Sequence, residues 1–198
     1  MEPVRRIVDG RRADTVQRLL DAAVEEVRTV DFRELSVRSV AKRADVSPAT
    51  AYTYFASKEH LVSAVVWQKL RDLPSPRRSP NGPGPADLAR TVRAIAGLFS
   101  AEPELSRACT TALLADDPEV RRLRDQIGME IAGRLQQALG PVDGTVSSAV
   151  STAFVGSLVL AGVGYLSFDQ LADELARIAE MLLAGQPLVT RSRRTRQR

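Results

Sequence analysis

The chain has 198 residues, 44% of them hydrophobic and 26% charged, an ordinary globular composition with enough apolar material for a substantial core. Its net charge of +4 collects at the ends: residues 1–72 carry 13 Lys and Arg against 11 acids, residues 73–190 carry 10 against 13, and residues 191–198 hold five arginines and no acid. Cys109 is the single cysteine, so no intrachain disulfide can form, and MEPVRRIVDGRR lacks the apolar segment of a secretory signal.

A first helix is predicted from about Ala13 to Thr29, after a flexible basic arm over residues 1–12. Val16, Leu19, Leu20, Ala23, Val24 and Val27 recur at helical spacing and make one apolar stripe. Ser36 is placed to cap a short second helix carrying Val37, Val40, Ala41 and Ala44 on its inner side. Asp45-Val46-Ser47-Pro48 then breaks the helical pattern. Asp tolerates the left-handed turn, Ser47 is an N-cap, and Pro48 suits the first helical position, where no amide hydrogen is needed. Two short helices joined by such a turn form a helix-turn-helix. Ser57 opens a longer helix from Lys58 to about Leu73.

The stretch PSPRRSPNGPGPA, residues 74–86, holds five of the eleven prolines and reads as a linker. Beyond it, helices are predicted at about 86–100, 103–115, 117–139, 144–166 and 168–184, punctuated by Glu102-Pro103, Asp117-Pro118 and Gly140-Pro141. The fold class that follows is all-α, with about nine helices. Its parts are an N-terminal unit at 1–72, a Pro-rich loop at 73–86, a helical body at 87–186 and a basic, disordered tail at 187–198.

Thr145–Phe168 runs 24 residues without a formal charge, long enough to span a bilayer. Seven of them are Ser or Thr and three are Gly, and the flanking Asp143 and Asp169 provide no basic anchor. The expectation is a helix buried within the protein or between subunits, with no membrane partner.

The stretch DVSPATAYTYFASKEHL, Asp45–Leu61, carries the chemistry. A recognition helix enters the DNA major groove by its N-terminal half. Ser47, Pro48, Ala49, Thr50 and Thr53 are small enough to approach base edges, and Tyr52 and Tyr54 have hydroxyls on rigid arms that reach phosphates. Ala51 and Phe55 face the first helix instead. Lys58 adds a cation at a helix N-terminus, a combination suited to phosphate.

Residues 30–61, VDFRELSVRSVAKRADVSPATAYTYFASKEHL, resemble the DNA-binding domain of TetR-family transcriptional regulators. The likeness rests on the Ser36-Val37 start, Val40-Ala41, Ala44, Val46-Ser47, Thr50, Tyr52, Tyr54-Phe55, Ser57-Lys58-Glu59 and Leu61, within roughly residues 12–72. Asp31 and Asp45 stand where the family usually has Gly, and Ala51 where it has a larger aliphatic. The resemblance implies a bacterial, cytoplasmic, homodimeric regulator, usually a repressor, bound to double-stranded DNA at a pseudo-palindromic operator. It implies DNA contacts from Arg38, Ser47, Pro48, Ala49, Thr50, Tyr52, Thr53, Tyr54 and Lys58.

In the body, an apolar effector pocket is expected from Leu88, Val92, Ile95, Phe99, Thr110, Leu113, Leu114, Gln126 and Met129, which favours a small hydrophobic effector. A dimer interface is expected from Phe154, Leu158, Val159, Gly162, Leu171, Leu175, Ile178 and Leu182 on the last two helices. The chain shows no nucleophile elbow, phosphate loop, dinucleotide fingerprint or metal-ligand cluster, so neither an enzyme nor a cofactor or metal is indicated. His60 reads as an exposed helical residue.

Overall fold

The computed structural model describes residues 2–76 and 82–184, with side chains outside residues 2–11 and 169. Among them are nine α-helices and no strand: α1 (Glu2–Val27), α2 (Val37–Arg43), α3 (Pro48–Tyr54), α4 (Lys58–Asp72), α5 (Pro85–Ser100), α6 (Pro103–Leu113), α7 (Pro118–Leu139), α8 (Gly144–Gly162) and α9 (Phe168–Ala184). The all-α expectation therefore holds. The helix α1 begins at Glu2 rather than near Ala13, and Pro3 falls in its first turn, where a missing amide hydrogen costs nothing. The basic tail expected at 187–198 lies outside the described residues, as does the middle of the Pro-rich loop.

Local chemistry accounts for the short helices. The Ser36 hydroxyl accepts from the Ser39 amide while the Ser39 hydroxyl accepts from the Ser36 amide, a reciprocal cap at the start of α2. Ser47 caps α3 by accepting from Thr50 N at 3.1 Å, and Ser57 caps α4 by accepting from His60 N at 3.0 Å. Between α2 and α3, Asp45 takes the left-handed conformation at φ 52°, the only positive φ outside glycine among the described residues. Asp31 manages its turn differently, its carboxylate accepting from Arg33 N at 2.8 Å.

The helices α1 to α4 share a core of Leu19, Ala23, Val27, Val37, Val40, Ala51, Phe55, Leu61 and Val65, each at most 4% exposed. Val16 and Val24 lie at the edge of this core, partly buried. Two polar ties fix α2 to α1: Arg43 pairs with Glu26 at 2.5 Å, and Arg18 donates to Ala44 O at 3.2 Å. The N-terminal unit and the body are joined through α4, which packs against α6 and α7, while α5 lies along α9 and α8 against α9. Glu102, just before α6, pairs with both Arg28, directly after α1 (3.0 Å), and Lys69 of α4 (3.1 Å).

Candidate nucleic-acid interface and effector cleft

The side chains of α3 divide cleanly by face. Ala51 and the following Phe55 are buried, at 0% and 4% exposure, and hold the helix on the α1–α4 core. Ser47, Pro48, Ala49, Thr50 and Thr53 are exposed, and Tyr52 is 52% exposed. Seven residues cannot hold a helix by backbone hydrogen bonding alone, so the buried side and the Ser47 cap keep the outer face in place. The hydroxyls of that face are held locally: Ser47 Oγ lies 2.8 Å from Thr50 Oγ1, and Thr53 Oγ1 donates to Ala49 O at 3.0 Å.

Beside α3 runs an open groove lined by Ser36, Arg38, Ser39, Lys42, Asp45, Val46, Ser47 and Pro48. Arg38 and Lys42 are both exposed, with no side-chain hydrogen bond or ion pair from either among the described residues. Lys42 escaped the sequence reading, although its i, i+4 spacing from Arg38 places both cations on one side of α2.

Two expected contact residues are placed differently from the rest. Tyr54 is half-buried, its ring packed on the core. The Lys58 ammonium donates to Phe32 O at 2.8 Å and Arg33 O at 3.1 Å and lies 4.7 Å from the Phe32 ring centroid. Those partners sit 25 and 26 residues away in the chain, so local sequence held no sign of them. The cation therefore fastens the α1–α2 loop to the start of α4, with one N–H of its three left for a phosphate.

The start of α4 also meets the body. Ser57 Oγ donates to Asp117 Oδ2 at 2.8 Å, and Asp117 simultaneously caps α7 by accepting from Glu119 N and Val120 N. The Ser57 hydroxyl foremost, with the Val120 and Glu119 amides and the nearby His60, holds the Asp117 carboxyl below its ordinary range against the opposing effect of burial. His60 is half-buried rather than exposed: Nδ1 accepts from Ala56 N at 3.3 Å and its ring meets Phe55 edge-on at 5.5 Å. Burial lowers its pKa, while Glu119 and Asp117 pull the other way.

In the body, a cleft of ≈ 170 Å³ opens between α6, α7 and α8, lined by Phe99, Ser106, Thr110, Leu113, Leu114, Arg124, Val155, Leu158, Val159, Gly162 and Phe168. It brings together Phe99, Thr110, Leu113 and Leu114 of the expected pocket. Leu88, Val92 and Ile95 do not reach it; they are at most 1% exposed and fill the core of the body. Gln126 and Met129 point outward on α7, Met129 at 68% exposure. The walls from α8 and α9 escaped the sequence reading because they come from helices far along the chain. Gly162 lets α8 approach α6 closely: a Cβ there would lie 2.9 Å from Thr110 Oγ1.

The expected dimer residues also separate. Phe154, Leu171 and Leu175 are at most 1% exposed and belong to the chain's own core, so they cannot meet a partner. Leu158, Ile178 and Leu182 are half-buried, as is Gly162. Val159 is 44% exposed and lies beside Val155 (58%), Leu160 (48%) and Val163 (57%), which the sequence reading did not single out. The 19-residue α8 has a mean hydropathy of 1.5 over its most apolar window, of which only 22% is buried in the single chain. It is the one helix among the described residues long and apolar enough to cross a membrane.

The family model for bacterial regulatory proteins of the tetR family matches residues 19–65. An uncharacterized HTH-type transcriptional regulator of Mycobacterium tuberculosis is 41% identical over 178 residues, covering 88% of this chain and 83% of the relative. The HTH-type transcriptional repressor KstR of Rhodococcus jostii is 26% identical over 173 residues, covering 84% and 82%. Among solved structures, a TetR transcriptional regulator from Rhodococcus sp. RHA1 is similar with a TM-score of 0.72 at 20% identity, over 90% of this chain and 99% of that one. Thermus thermophilus FadR, a TetR-family repressor in complex with lauroyl-CoA, gives 0.59 at 24% identity, over 92% and 99%. At those identities the two structures speak for the fold.

Proposed function

Because this chain belongs to the TetR family of bacterial regulatory proteins, and is a DNA-binding transcriptional regulator and not an enzyme, we propose that it works as a homodimeric repressor released from its operator by a small hydrophobic effector. The observation that carries the DNA half is the division of α3, whose buried Ala51 and Phe55 turn Ser47–Thr50, Tyr52 and Thr53 outward beside Arg38 and Lys42. Short side chains at the helix start read base edges, while Arg38, Lys42 and Tyr52 contact flanking phosphates. Tyr54 acts through packing, and Lys58 chiefly through the loop it fastens.

The exposed apolar face of α8 supports the homodimer, since a patch of that kind is the usual mark of a covered surface. A second copy related by a two-fold axis would cover it with its own α8 and present two α3 helices to a pseudo-palindromic site. The cleft between α6, α7 and α8 supports the effector. The site of action is the bacterial cytoplasm, where such an operator lies.

A retardation assay on fragments of the source genome tests the DNA reading. We expect a retained fragment with paired half-sites, and retention lost on Thr50→Ala for that fragment but not for non-specific DNA at low salt. Failure to retain any fragment above the non-specific level would remove the proposal.

A further inference from the structure

Arg124 is the one charged side chain lining the apolar cleft of ≈ 170 Å³. It is half-buried, and one of its terminal nitrogens donates to Leu113 O at 2.8 Å. Its neighbours on α7 are neutralised: Arg121 pairs with Asp116 at 2.7 Å and Arg122 with Glu119 at 3.0 Å. Arg124 has no carboxylate within ion-pair distance among the described residues. The only compensation in view is the carbonyl at the C-terminal end of α6, a partial negative charge. A guanidinium has five N–H donors in a fork that fits a carboxylate two at a time, and Leu113 uses one side of it. A cation set against apolar walls without a counter-ion pays a desolvation cost that a bound anion would offset.

We propose that the cleft takes a small apolar carboxylic acid, its carboxylate paired with Arg124 and its hydrocarbon lying against Phe99, Leu113, Leu158 and Phe168. The inference rests on the reading of the protein as an effector-controlled regulator, and it names the effector's chemistry as an apolar monoanion. It also supplies a route to the DNA. Leu113 O is one of the terminal carbonyls of α6 left without an intrahelical partner, and the segment from Leu114 leads directly to Asp117 at the start of α7. Asp117 holds Ser57, which caps α4 immediately after α3. An anion on Arg124 competes with Leu113 O for the guanidinium, loosens the α6–α7 turn, and so moves the group on which Ser57 is held.

Octanoate and octanol test this, since they share a chain and differ in the head group. Calorimetry on the full chain should show octanoate binding about tenfold more tightly than octanol, the increment of one charge-assisted hydrogen-bonded pair. Arg124→Gln should bring the two ligands within about twofold of each other, and Arg124→Lys should restore most of the preference. Octanoate, more than octanol, should release retained DNA. Equal affinity for both ligands in the unaltered protein, or an unchanged preference in Arg124→Gln, would overturn the assignment while leaving an apolar effector in place. If neither ligand binds and DNA retention is intact, the cleft is not the effector site and both readings of it fall.

Discussion

Ser57 uses both capacities of its hydroxyl. It accepts from His60 N at 3.0 Å to cap α4 and donates to Asp117 Oδ2 at 2.8 Å across to α7. Ser57→Ala should remove a cap and a cross-domain hydrogen bond together, at a cost of about 1–3 kcal/mol in denaturant unfolding. It should also weaken the link between effector and DNA without reducing effector affinity. His60, beside it, makes stability depend on pH. Burial lowers its pKa from the ordinary 6.5, so the unfolded chain takes up the proton first and stability falls as pH drops below that value. Asp117 behaves in the same direction at lower pH: its depressed pKa contributes stability above the ordinary 3.8 and loses it as pH falls through the folded value. Thermal melts should therefore decline between about pH 7 and pH 5, and His60→Gln should flatten that slope. Cys109 is 1% exposed and burial raises its thiol to about 12, so it should resist iodoacetamide until the chain unfolds.

At the scale of elements, α8 and α9 show what apolar patterning leaves open. Leu171, Leu175 and Ala179 of α9 are 0% exposed, covered by the chain's own helices, among which α5 packs along α9 most closely. Leu175→Ala should therefore lower stability by about 2–5 kcal/mol through a core cavity. Val159→Glu, on the open face of α8, should leave the fold of the single chain intact and shift the protein from dimer to monomer in sedimentation experiments. A dimer unaffected by Val159→Glu or Val155→Arg would exclude this face as the interface. Gly162 is a separate case, because any larger side chain meets Thr110, whose hydroxyl already donates to Ser106 O at 3.0 Å. Gly162→Leu should push α8 off α6, fill the cleft and abolish effector binding, with a stability loss of about 1–3 kcal/mol.

Across the whole molecule, the N-terminal unit is tied to the body at several points. Glu102 ties α1 and α4 to the start of α6, and the Ser57–Asp117 bond ties α4 to the start of α7. On the proposed reading, a shift of α6 or α7 on effector binding would be passed to α4 and, through the short connection at Phe55–Ser57, to α3. In a two-fold dimer the two α3 helices must match half-sites about 34–36 Å apart, or one turn of DNA, so a change of angle at each α4 is amplified into loss of fit. Tyr52→Phe should weaken binding to all sequences alike, whereas Thr50→Ala should alter the ranking among operators. Lys58→Met should lower thermal stability and DNA affinity together, since the α1–α2 loop loses its two carbonyl contacts. A loss of affinity with stability unchanged would instead assign Lys58 to the phosphate backbone.

The element order, the three serine caps, the Asp45 turn and the outer face of α3 apart from Tyr54 were legible in the sequence. Each depends on groups within about four residues, which is the range of helical hydrogen bonding and of capping. What lay beyond that range was decided only by tertiary packing. Leu175 lies on the apolar stripe of α9 and Val159 in α8, which is apolar all round, yet one is enclosed by the chain and the other is open. Leu88 and Leu113 are equally plausible pocket residues, yet one is in the core and the other at the cleft. Periodicity says that a side of a helix must be covered; it does not say by which neighbour, because burial belongs to pairs of surfaces that meet only after the chain has folded.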